Sequence, residues 1–119
     1  MANYRMVLDR TFHALSDPTR RAVIEALTER GQSSVKELAE PFPIGLPTFL
    51  KHLKVLEDSG LVTTTKTGRT RSCQLRRQPL GEAEQWLAER REAVENQLDA
   101  FAAYVESIPA TTEAPDEHT

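Results

Sequence analysis

The sequence predicts a mainly α fold closed by a β-hairpin, with five helices and two strands. Three observations carry this. Apolar residues recur at helical spacing in four segments before residue 60. Residues 61–75 then switch to a β-branched, alternating pattern. A run with a period of seven follows, through Leu80, Leu87, Val94, Phe101 and Ile108.

Each element has its own local reason. Tyr4, Leu8, Phe12 and Leu15 share one stripe, with Val7 and Thr11 beside it, which predicts a first helix over 4–15. It ends at Ser16-Asp17-Pro18, where Pro18 cannot continue a helix but can open one, and Asp17 suits the cap. The second helix runs to about Glu29, turns Ala22, Val23, Ile24 and Leu27 inward, and stops at Gly31. Ser34 and Glu37 have the spacing of a capping box for a short third helix, Val35–Ala39, which Pro41 and Pro43 end. A fourth helix starts near Gly45-Leu46-Pro47 and runs to Asp58; it is expected to bury Leu50, Leu53, Val55 and Leu56, and Gly60 closes it. Strands over 61–66 and 70–75 flank a tip at Thr67-Gly68-Arg69. The last helix runs from near Leu80 to about Ser107, and Leu98 and Val105 add a second apolar position to its later half.

Composition narrows the function. A chain of 119 residues is one small domain, expected over 1–108, with an acidic, Pro- and Thr-rich tail at 109–119 that has nothing to bury. One cysteine, Cys73, excludes a disulfide framework, a structural zinc site and a CxxC pair within the chain. The protein is therefore read as intracellular and cytoplasmic. Apolar runs of only a few residues predict no membrane span, and the first residues lack the order of a signal peptide. The net charge of -3 speaks at first against nucleic acid. It divides, however: residues 1–80 hold 13 basic and 8 acidic side chains, residues 81–119 hold 2 and 10. The chain is basic in its first part and acidic beyond it.

A short helix, a tight turn and a longer helix form a helix-turn-helix, and a hairpin directly after it makes the fold a winged helix-turn-helix. The longer helix can enter a major groove while the wing reaches the flanking backbone. The side chains expected to face DNA at its start are Leu46, Thr48, Phe49, Lys51 and His52, with Lys54 one turn on. Thr48, Phe49 and Lys51 are the candidates for base edges: Phe49 or Thr48 against a thymine methyl, Lys51 donating to guanine. The wing offers Lys66, Arg69, Thr70 and Arg71, whose charges would neutralise phosphates. Arg20, near the start of the second helix, suits either a phosphate or a structural pairing.

These segments resemble the ArsR/SmtB family of bacterial winged-helix repressors. The matching residues are Phe12-His-Ala-Leu-Ser-Asp-Pro-Thr-Arg-Arg21, Val35-Lys-Glu-Leu-Ala39, the run from Leu46 to Val62, and Gly68-Arg-Thr-Arg71. The resemblance implies a homodimer that binds operator DNA and represses transcription until an effector releases it. It also implies that the first and last helices form the dimer interface, through Leu8, Phe12, Leu87, Val94, Leu98, Phe101 and Val105. The family's metal sensors carry a Cys-x-Cys pair around the third helix, or Asp, His and Glu pairs on the last. Here the third helix has no Cys and the last no His, so no metal site and no cofactor are expected. Whether the effector is a small molecule or a protein stays open.

Other readings stand beside these. Cys73 alternates with Leu75 and is expected to be a small buried hydrophobe rather than a thiol sensor. His52 faces DNA by its place in the family pattern, or else is a half-buried polar residue under the wing. The apolar Phe49-Leu50 start leaves an alternative function: a winged-helix protein-interaction module without DNA binding. An enzyme is not expected, since no glycine-rich phosphate loop, metal set or nucleophile constellation is present in the sequence.

Overall fold

The computed structural model describes residues 2–109, with side chains from Arg5 onward. The acidic tail beyond Pro109 and the side chain of Tyr4 lie outside the described residues. The element order is α1 (Ala2–Leu15), α2 (Pro18–Arg30), β1 (Ser33–Ser34), α3 (Val35–Ala39), α4 (Leu46–Asp58), β2 (Val62–Thr67), β3 (Thr70–Leu75) and α5 (Arg77–Glu106). The architecture is a winged helix-turn-helix.

The local signals act as their chemistry requires. The Asp17 carboxylate accepts the Arg20 N–H at 3.1 Å to cap α2, with Pro18 at its first position. Gly31 ends α2 at φ 78°, its N–H donating to Leu27 O at 2.9 Å. The Ser34–Glu37 capping box is complete, with reciprocal bonds of 3.0 and 3.1 Å.

Most element ends fall within one or two residues of expectation; the strand count and the start of the last helix differ more. The sheet has three antiparallel strands in the order β1-β3-β2, not two: Ser33 pairs with Cys73 and Ser34 with Ser72. A two-residue strand is too short to leave an alternating pattern in a sequence. Helix α5 begins at Arg77, before Leu80, because Pro79 sits in its first turn, where its missing N–H has no helical partner to lose.

The chain divides into two compact units, residues 1–84 and the part from 85 on. The first holds the core: Ala14 of α1, Val23, Ile24 and Leu27 of α2, and Leu38 of α3. Phe49, Leu53 and Leu56 of α4 join Leu61, Val62 and Cys73 at its sheet side. The second unit continues α5, and every described residue from Glu89 on is exposed.

Candidate nucleic-acid interface

The outer face of α4 differs from the expected one at Phe49, which is buried, and at His52, which is half-buried. Phe49 is 1% exposed, and its ring lies 5.5 Å from that of Phe42 at 44°. It cannot meet a base edge. The reason is angular: at 3.6 residues per turn, Phe49 stands within about 40° of Leu53 around the axis, whereas Thr48 and Lys51 stand at about 140° or more. The buried stripe is therefore Phe49, Leu53 and Leu56, with Leu50 and Val55 only half-buried. Leu46, Pro47, Thr48 and Lys51 remain exposed at the start of the helix. Lys54 is exposed as well, but its Nζ bonds Asp58 Oδ1 at 3.1 Å one turn on. Gly45 caps α4 without a side-chain bond, and Pro47 in the first turn has no N–H to satisfy.

His52 takes the half-buried place. Its Nδ1 lies 3.3 Å from Arg20 Nη1 and 3.7 Å from Asp17 Oδ2. Arg20 also donates through Nε to Ala14 O at 2.8 Å and through Nη2 to His13 O at 3.1 Å. Arg21 donates to Leu15 O at 2.8 Å. The two arginines thus satisfy carbonyls left over at the end of α1, and Arg20 joins that end to α4. Of the two roles open to Arg20 in the sequence, phosphate or structural pairing, the structure gives it the second. The N–H bond from Arg20 holds the Asp17 carboxyl below its ordinary value; burial opposes this, and the charges of His52 and Arg20 add to the lowering.

The wing is a two-residue hairpin. Thr67 pairs with Thr70, so Gly68 and Arg69 form the loop. Gly68 has φ 64° and no other loop residue is positive, the arrangement of a II′ turn. Lys66, Arg69 and Thr70 are exposed, and no carboxylate pairs with Lys66, Arg69 or Lys51 among the described residues. Arg71 is engaged: its Nη2 lies 3.2 Å from Glu57 Oε2 and 3.1 Å from Thr64 Oγ1, while the Thr64 hydroxyl donates to the same carboxylate. This triad ties the wing to α4, and Glu57 is a residue that sequence reasoning missed. Its only signal was an acid near the end of α4 that no helical partner claims. Leu46, Arg69, Thr70 and Arg71 line one depression, which puts the start of α4 and the start of β3 on a common surface.

Cys73 is fully buried in the central strand, and burial pushes its thiol up to about 11. The residues expected at an interface fall into two groups. On α5, Leu87, Val94, Leu98, Phe101 and Val105 are between 45% and 66% exposed. On α1, Phe12 is partly exposed, but Leu8 is 7% exposed. Leu8 is covered by its own chain and offers little surface to a second one. Among the described residues no three metal-ligating side chains come together, and no helix is long and apolar enough to cross a membrane.

Comparisons with known proteins agree on one kind of protein. A helix-turn-helix domain family matches residues 15–65. An HTH-type transcriptional regulator of Mycobacterium tuberculosis, Rv2034, is 43% identical over 75 residues, covering 63% of this chain and 68% of the relative. The transcriptional repressor SdpR of Bacillus subtilis is 31% identical over 62 residues, 52% of this chain and 68% of the relative. The crystal structure of an ArsR family transcriptional regulator superposes with a TM-score of 0.72 at 48% identity, covering 76% of this chain and 93% of that one.

Proposed function

The chain belongs to the ArsR family of winged helix-turn-helix transcriptional regulators and is a DNA-binding regulator, and we propose that it is a dimeric repressor of an inverted-repeat operator. One observation supports this most: Thr48 and Lys51 stand exposed on the outer start of α4, and the unneutralised Arg69 shares a surface with Leu46 of the same helix. In this reading Thr48 packs on a thymine methyl and Lys51 donates to guanine, with Leu46 beside them. Lys66, Arg69 and Thr70 contact phosphates. Lys54, His52 and Arg71 act mainly through their own-chain partners and contribute less.

Repression is carried over from the name of the Bacillus subtilis relative. The dimer rests on the bare stripe of α5, since a helix with Leu87, Val94, Leu98, Phe101 and Val105 exposed has an apolar face to cover. Residues 1–108 then form one DNA-binding and dimerisation domain. In this reading the effector is a non-metal one, in keeping with an α3 without Cys and an α5 without His. The protein-interaction reading drew on an apolar start to α4, and with Phe49 turned inward it loses most of that support.

Footprinting on the DNA upstream of the chain's own gene tests the proposal. Protection of an imperfect inverted repeat is expected, with half-sites about 10 to 11 base pairs apart or a multiple. No protection even at salt below about 50 mM would refute it.

A further inference from the structure

A cleft of about 720 Å³ opens between α3, the loop that precedes α4 and the start of β3. That size is ordinary for a small-molecule site. Its floor is apolar: Val35, Ala39, Phe42, Ile44 and Leu46. The first four also pack against the core, so the floor is fixed in place. Its charges are unbalanced. Lys36, Arg69 and Arg71 line it against one carboxylate, Glu40. No acid pairs with Lys36 or Arg69 among the described residues, whereas Arg71 is met by Glu57.

We infer that this cleft binds an amphipathic monoanion, a carboxylate on an apolar body, and that its occupation releases DNA. The carboxylate meets Lys36 and Arg69, and the apolar body covers Phe42, Ile44 and Leu46. A neutral ligand of the same shape leaves both cations unsatisfied, and a bare phosphate leaves the floor wet. The inference rests on the DNA-binding reading above and names the effector class for it. Leu46 and Arg69 are shared between cleft and DNA surface, so an occupant withdraws both from DNA and adds a negative charge beside them. Each ligand then weakens the other by the same factor.

Calorimetric titration of the full chain without DNA, using octanoate, 1-octanol and inorganic phosphate, tests the cleft. One octanoate per chain is expected, bound at least about fivefold more tightly than octanol, with no saturable heat from phosphate. Glu40→Gln alters an exposed side chain whose carboxylate holds nothing in the fold, and it is expected to tighten octanoate. Lys36→Glu weakens octanoate by about fivefold or more, and Ala39→Met closes the floor and abolishes binding. Fluorescence anisotropy on labelled operator then reads release over the same octanoate concentrations. The inference is overturned if octanol binds as well as octanoate, if no saturable octanoate binding occurs, or if neither charge variant moves it. Octanoate binding without DNA release overturns the effector role, and equal release by phosphate assigns the cleft to the DNA backbone instead. Should the chain bind no DNA, the calorimetry still decides the cleft, so the two readings fail separately.

Discussion

Adjacent residues at the start of α4 face opposite ways, Thr48 outward and Phe49 inward. Phe49 is in the core, where truncation removes a ring packed on Phe42. Phe49→Ala is expected to destabilise the protein by about 3–5 kcal/mol in urea unfolding. Thr48→Ala should stay within about 0.5 kcal/mol of wild type yet lose discrimination between operator and scrambled sites. That Phe49 turns inward, against expectation, has a physical cause already present in the spacing: Phe49, Leu53 and Leu56 stand at i, i+4 and i+7, one face of the helix. Cys73 was legible, because its strand alternates and sets it on the same face as Leu75. With its thiol raised to about 11, it should resist alkylation at neutral pH until the protein unfolds. Its contribution to stability is complete below about pH 9, where the unfolded thiol begins to ionise, and is lost toward the folded value. Asp17 works in the opposite sense. Its lowered carboxyl contributes above about pH 4 and stops contributing as pH falls through the folded value. Asp17→Asn should therefore flatten the acid limb of the stability profile.

At the scale of elements, the wing and α5 make separate predictions. Two arginines near the tip differ in what holds them: Arg71 is paired with Glu57, Arg69 with nothing among the described residues. Arg69→Ala should reduce the slope of log affinity against log salt by about 0.9 for each phosphate it no longer neutralises, uniformly across sequences, and Arg71→Ala by less. Lys51→Ala should instead relax sequence preference. On α5, Phe101 is 66% exposed in the centre of an apolar stripe. Phe101→Glu should give a monomer by analytical ultracentrifugation, and a dimeric mass would refute that interface. Caps and breakers made most element ends readable, since Asp17-Pro18, Ser34 with Glu37, and Gly31 act through their nearest neighbours. The third strand was not readable. Ser33 and Ser34 gain their partners from β3, some forty residues on, and two residues hold no period. The same applies to the Asp17–Arg20–His52 cluster and to Glu57, which are brought together only by tertiary packing.

At the scale of the whole molecule, the charge of -3 conceals two opposed parts, a basic winged helix and an acidic remainder. Net charge alone therefore misjudges the partner, and its distribution along the chain is the better guide. The fold was largely legible because helical period, strand alternation and caps agree with one another. The exposed face proposed to meet DNA was legible in outline, since exposure on α4 and the wing follows from which positions the core takes. The division of labour within it, free Arg69 against paired Arg71, depends on tertiary pairings that no spacing encodes. The central claim is that two copies of this chain hold one inverted repeat through α4 and the wing. Sedimentation of the protein with the footprinted duplex, against a scrambled duplex of equal length at about 150 mM salt, measures this directly. Two chains per operator duplex and none on the scrambled one is the expected result; equal binding to both duplexes, or no complex on either as salt is lowered to about 50 mM, would contradict it.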